Sequence, residues 1–396
     1  MLKMSTAIQK GSKADAVGKK LAVDALRGLN GAAPAFAILF VTSHMNLGQV
    51  VKAVRKELKH VPLIGCTTAG EFTEQKVLNK SATLALFSNS EDYRFQVAMA
   101  TGLHKDPAGC VQKAIDAIPA SAHGLPYRSA ILLHDGLAGR GEEAVLSATT
   151  MMGPSVFFAG GGAADDMAFK KTFVVCNDRI TSDSVALCVI DSKQPVAIGV
   201  KHGHTPITKL LTVTQAKDNV LYKVDGQPAW EVWTRLLTDE AKKNGIDVAK
   251  LNTSTKAGDF LIRYELGLTT GKEYKVRVPL SKNPDGSLNF ACTIPEGAKF
   301  RIMKSSKREQ IASARESAES AKKQVGKKKI AGALVFDCVC RGLILGDDFD
   351  KSVNAMKRVV GKVPMIGFET YGEICRRPGQ LSGLHNTTSV VMLLLA

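Results

Sequence analysis

Aromatic side chains are scarce in this chain: Phe, Trp and Tyr make up 6% of it, and Trp occurs twice. No basic helix is interleaved with them. The basic excess, 53 Lys and Arg against 37 Asp and Glu for a formal charge of +16, is spread along the sequence apart from one run at 322–329. Such a spread reads as a solvated surface and argues against a nucleic-acid partner, which would need a basic stripe with a binding motif. No apolar run approaches the ~20 residues that span a bilayer. The first residues lack the apolar core of a signal peptide, so we expect a cytoplasmic protein with no membrane partner. The eight cysteines have no paired spacing; in a reducing compartment they are free thiols and not a disulfide framework. Also missing are a GxSxG elbow, a Walker loop, an HExxH pair and the kinase set, so we expect a binding protein and not an enzyme.

What is present is a repeat. Residues 62–71 read PLIGCTTAGE and residues 364–373 read PMIGFETYGE, so Pro, Ile, Gly, Thr, Gly and Glu recur in register. Around each copy the hydrophobic pattern predicts a strand (36–41; 332–336), a helix (46–59; 348–361), the copy itself and a further strand (81–87; 389–395). A third, looser copy lies between them, with a strand at 128–133, a helix at 142–152, a strand at 156–159 and a turn, GGGAADD, at 160–166. Matching Gly160 to Gly65 places Asp166 on Glu71, so each turn ends in a carboxylate. The predicted fold is α/β, two fused related halves built from repeated strand-helix-strand-turn-strand units, with mixed sheets covered by helices. Residues 1–12 read as an extended lead-in, 13–29 as a helix, 160–162 as part of a turn, and 238–258 as a linker or surface helix.

The turns supply the candidate site. Gly160, Gly161 and Gly162 either form a sharp turn or offer backbone amides to an anion. In CVCR, an extended segment would put Cys338 and Cys340 on one face, as buried thiols or as part of a zinc site. Arg341 either pairs with Glu373 or clamps a ligand carboxylate. His385 and Asn386 precede the last strand, and His385 is either a hydrogen-bonded structural residue or a metal or haem ligand. His202 and His204 lie two apart, and His134-Asp135 match the strand-end position of Asp337-Cys338, where open α/β sheets bind ligands. A thiol or carboxylate enzyme, with Cys66 or Cys338 as nucleophile, is a less favoured reading, level with a scaffold. The candidate ligand-binding set is thus Cys66, Thr67, Thr68, Glu71, Gly160, Gly161, Gly162, Asp165, Asp166, Cys338, Arg341, Thr370, Tyr371, Glu373, His385 and Asn386. The carboxylates Glu71, Asp166 and Glu373 would converge on one pocket and take a ligand ammonium group while Arg341 takes its carboxylate. Each charge-assisted hydrogen bond would contribute roughly 1.5–3 kcal/mol before desolvation.

Several blocks in order, IGCTTAGE, AGGGAADD, VTQAKDN and VDGQPA, then VRVPL, IPEG, CVCR, GFETYGE and HNTT, resemble the FIST family. This is a two-part sensory module found with prokaryotic signal-transduction proteins and with eukaryotic F-box proteins. The resemblance implies a FIST N-terminal domain at 31–223 after a lead-in at 1–30, and a FIST C-terminal domain at 224–396. It implies a sensor of small molecules, amino acids among them, with no cofactor. With no kinase, receiver or F-box segment in the sequence, such a sensor would act in trans on a histidine kinase or other signalling partner. Some stand-alone members are haem proteins that sense nitric oxide. Under that alternative His385, His204 and His134 are the candidate ligands, and His204 stands where an aromatic residue is more usual in the family.

Overall fold

The structure is a computed structural model that describes residues 1–121, 124–251, 254–271, 273–377 and 383–396. By contact the chain forms two compact units. One compact unit holds residues 1–201, 311–384 and 388–396, and a second holds 202–310 and 385–387.

The first unit contains all three copies, and each builds one mixed sheet. In the first, Pro34–Thr42 runs parallel to Leu63–Thr68 and antiparallel to Ser81–Ser88. In the middle copy, Tyr127–His134 runs parallel to Phe157–Gly162 and antiparallel to Ser184–Ser192. In the last, Ile330–Cys338 runs parallel to Met365–Thr370 and antiparallel to Thr388–Leu395. The strand that follows each glycine-and-acid turn leaves its own sheet. Glu71–Thr73 joins Met365–Thr370, Glu373–Arg376 joins Phe157–Gly162, and Val174–Cys176 joins Leu63–Thr68. The exchange therefore runs first to last, last to middle, middle to first, and closes.

One apolar core lies between the three sheets, with Ile38, Phe40 and Ile64 from the first, Ile131 and Ala159 from the middle, and Phe336, Ile366 and Phe368 from the last. Helices cover the outer faces. Leu47–Leu58 begins at Asn46, whose side chain accepts from Gln49 N, and buries Leu47, Val50, Val51, Val54 and Leu58 at helical spacing. In the last copy Phe349–Val360 does the same with Phe349, Val353, Met356 and Val360. Strands packed on both faces are mostly apolar, and every residue of Thr388–Leu395 is buried.

A shared Ile-Gly or Ala-Gly step has one physical cause. Gly65, Gly160 and Gly367 lie opposite Leu39, Leu132 and Val335 of the neighbouring parallel strand. A Cβ on any of the three would fall well inside contact distance of that residue's carbonyl oxygen. Gly160-Gly161-Gly162 is thus a strand end and not a turn; the turn proper begins at Ala163. Other local expectations are also corrected. Met4–Lys10 is a strand paired along Ser81–Ser88, not a lead-in. Cys340 and Arg341 lie in the helix Val339–Leu345, so the extended reading of CVCR fails at its second residue. In 238–258 the helix Ala229–Lys243 ends and a 3₁₀ turn, Val248–Lys250, follows; residues 252–253 lie outside the described residues.

The second unit is a nine-stranded sheet, antiparallel in every described pairing. Its core gathers Trp233, Phe260, Phe290 and Phe300. Asp225 and Gly226 take positive φ at a tight turn, and the expected helix start falls at Pro228, the N-cap of Ala229–Lys243.

Candidate functional site: a ring of three corners

The three turns meet. Ala164 N donates to Thr67 O (2.9 Å), Tyr371 N to Gly162 O (3.0 Å) and Ala69 N to Glu369 O (3.2 Å). Thr67, Gly162 and Glu369 are equivalent in the repeat, as are Ala69, Ala164 and Tyr371, so the three bonds form a ring that repeats one contact. A second set follows the same rule, Glu369 N to Gly70 O and Gly162 N to Gly372 O, both 2.8 Å. In the first corner the equivalent donor, Thr67 N, turns to Phe173 O (2.9 Å), because the middle turn carries extra residues there.

Two of the expected ligand carboxylates are spent inside their own corners. Glu71 is buried and accepts from Thr68 Oγ1 and from Ser81 Oγ (2.5 Å). Burial pushes its pKa up to about 8 against those hydrogen bonds. Glu373 is buried likewise and accepts from Thr370 Oγ1 (2.6 Å), Thr388 N (3.0 Å) and Thr388 Oγ1 (3.1 Å). Its pKa rises to about 7 by burial, held back by those donors and by Cys338. A buried acid needs donors, and the Thr three residues earlier supplies one in both copies.

The middle corner is different. Asp165 is buried and ties its own loop, accepting from Phe169 N (3.0 Å), Lys170 N (2.7 Å), Lys171 N (2.9 Å) and Tyr371 Oη (2.8 Å). Asp166 reaches across to the first copy, where its Oδ2 accepts from Thr42 Oγ1 (2.9 Å), Ser43 N (3.0 Å) and Ser43 Oγ. His44 Nε2 lies 3.8 Å from the same oxygen and is half exposed.

Arg341 neither pairs with Glu373 nor stands free as a clamp. It is fully buried and donates from Nε to Asp337 Oδ1 (2.7 Å), four residues back, and from its two terminal nitrogens to Ser313 Oγ (2.8 Å) and Ser352 Oγ (2.9 Å). The helical turn from Val339 makes this i,i+4 pair possible. Asp337, paired as it is, is still raised above its ordinary value by burial.

The residue that sequence reasoning missed is Glu369. Its carboxylate sits over Gly70 and Gly342, in space that a Cβ on either glycine would occupy. Among the described residues no donor reaches it. Burial raises its pKa well above the carboxylate norm, and the charges of Asp337, Glu71 and Asp166 add to the effect, with Arg341 opposing. Yet its side chain keeps some solvent access. The signal was present in the sequence. At the position where the other copies carry Thr67 and Gly162, the last copy carries an acid.

The remaining candidates fall as follows. Thr67 is buried and its Oγ1 accepts from Phe173 N (3.0 Å). Cys66 and Cys338 are buried, and burial first of all holds both thiols far above the usual thiol range, the reverse of an activated nucleophile. His134 is 3% exposed, with Nδ1 3.0 Å from Asp135 O, and its pKa is lowered by burial. His204, in the second unit, is enclosed with Nε2 3.5 Å from Glu265 Oε2. His385 and Asn386 belong to the second unit, where Val278 N donates to Asn386 Oδ1 at 3.5 Å. No group of three or more His, Cys, Asp or Glu among the described residues is placed to hold a metal ion. Two cavities lie apart from the corners: about 270 Å³ beside residues 9–20, and about 760 Å³ along the helix Ala229–Lys243.

Comparison with known proteins gives the family. Residues 35–227 match the FIST N domain, and residues 229–376 match the FIST C domain. The chain belongs to the FIST family. An uncharacterized protein of Methanocaldococcus jannaschii is 23% identical over 291 residues, covering 70% of this FIST chain and 55% of that protein. The FIST chain thus spans about half the length of that relative. Among solved structures, a cyanuric acid hydrolase described as an evolutionary innovation by structural concatenation matches at 8% identity and a TM-score of 0.35, over all of both chains. The cyanuric acid hydrolase of A. caulinodans matches at 9% and 0.33, over all of this chain and 99% of that one. Likenesses of that size carry no inference about chemistry. Among the described residues no helix is long and apolar enough to cross a membrane.

Proposed function

We propose that this FIST chain is a sensory protein that binds a small molecule through a protonated amine at the ring of corners. The amine belongs to an amino acid or a simpler compound, and Glu369 and Asp166 are its charged contacts. One observation carries the reading: Glu369 is a largely buried acid with solvent access and no donor among the described residues, in a chain whose other corner acids are each satisfied. A buried acid left without a donor costs stability, and an ammonium group supplies both the missing donor and the opposite charge. Arg341 is committed to Asp337, so the ligand's carboxylate, where it has one, is held by other groups.

Isothermal titration at pH 8.5 with ethylamine and with alanine tests this. Glu369→Gln should weaken both by tenfold or more while the thermal midpoint holds. Unchanged affinity in the variant, or no binding to the natural sequence, would remove Glu369 from the site.

A further inference from the structure

The loop after the middle corner holds an exposed ring in a costly backbone. Asp166, Met167 and Phe169 all have positive φ, at 53°, 64° and 50°. For Met and Phe this conformation is an outlier that persists only where the surroundings fix it. Here they do. Asp165 gathers the amides of Phe169, Lys170 and Lys171, while Tyr371 Oη donates to Asp165 and accepts from Met167 N at 2.8 Å. The outcome is that Phe169, 52% exposed, lies flat on Tyr371, with ring centroids 5.1 Å apart and planes 14° apart. A single exposed apolar side chain is ordinary. One held in place by two strained residues, Met167 and Phe169 itself, and by a buried acid is not. Tyr371 is two residues from Glu369 and belongs to the hydrogen-bonded ring. Asp166, whose charge raises Glu369, is three residues from Phe169.

Resting on the amine reading above, we propose that Phe169 and Tyr371 form an aromatic wall of the same site and select amines that carry a flat ring over bare alkylamines. The carboxylates take the charged end, and the open face of the stacked pair takes the ligand's ring by offset stacking. Tyr371 is fixed from behind by Asp165, so Phe169 is the residue whose exposed face sets the preference.

The test uses the full chain and two probes, phenethylamine and ethylamine, titrated at pH 8.5. The natural sequence should bind phenethylamine about tenfold more tightly, the size of one good ring contact. Phe169→Ala should bring the ratio near one, and Phe169→Tyr should keep it. Glu369→Gln should weaken both probes alike and leave the ratio standing. An equal ratio in the natural sequence and in Phe169→Ala, or no preference in the natural sequence, overturns the aromatic wall. Failure of both probes to bind, or indifference to Glu369→Gln, overturns instead the amine reading beneath it.

Discussion

Glu71 and Glu373 hold the same place in their copies and meet the same fate, a buried acid fed by its own threonine. Their folded pKa values, about 8 and about 7, lie above the ordinary carboxylate value. In the folded chain these acids keep their protons longer than in the unfolded chain. Their contribution to stability is complete below about pH 4.5 and is lost as pH rises through 7 and 8. For Glu71 the loss is on the order of 3 kcal/mol, given about 1.4 kcal/mol per pKa unit and some relaxation of the site. Glu71→Gln, which keeps the shape and never ionises, should therefore melt higher than the natural sequence at pH 8.5 and close to it at pH 5. A melting curve that falls equally steeply with pH in both would show that Glu71 is not the buried acid described. At this scale a repeat makes residues visible where the copies agree and hides them where they differ. Thr68, Glu71, Thr370 and Glu373 stand out because they recur, and the structure pairs each threonine with the acid of its own copy. Glu369 was passed over because Thr67 and Gly162 stand in its place elsewhere. Arg341 invites two readings, an ion pair with Glu373 or a ligand clamp, because a strand end places it near that turn; its helical turn instead delivers the guanidinium to Asp337.

Among the elements, the parallel strand pairs set the strictest demand. Gly160 is packed against the Leu132 carbonyl with φ of 154°, and Gly65 and Gly367 face the same demand in their sheets. Gly160→Ala should cost about 3 kcal/mol or more, or leave the chain insoluble, since backbone must move to admit the methyl. Gly48 gives the opposite expectation. It is exposed in the helix Leu47–Leu58, with only Asn46 Oδ1 near, at 3.5 Å, so Gly48→Ala should gain about 0.5 kcal/mol by helix propensity. Chemical denaturation of both variants checks the pair, and equal effects would contradict the packing account. The strands and helices of all three copies were legible because their apolar periods are strong. The exchange of Glu71–Thr73, Glu373–Arg376 and Val174–Cys176 among sheets was not, because a three- or four-residue strand declares its conformation but not its partner. Met4–Lys10 escaped for a related reason. Its alternation is mixed with polar residues, and only its pairing along Ser81–Ser88 fixes it as a strand.

For the molecule, three copies closed by cyclic strand exchange bring three corners into one hydrogen-bonded ring. Repetition builds the frame, and departure from it supplies the acid on which the proposed site rests. Thr67, Gly162 and Glu369 are one position written three ways, and only the acid lacks a donor among the described residues. The FIST N and C matches divide the sequence near residue 228, whereas contacts gather all three copies into one unit. The family's two-part form and the threefold ring are thus different divisions of the same chain.

The central claim is that a protonated amine replaces the proton on Glu369, and proton release on binding measures it directly. Ethylamine titrated at pH 7 in two buffers of different ionisation enthalpy should give heats that differ in the direction of protons leaving the protein. The difference should shrink as pH rises and disappear in Glu369→Gln. Heats independent of buffer at pH 7, or a release that persists unchanged in Glu369→Gln, would contradict the account.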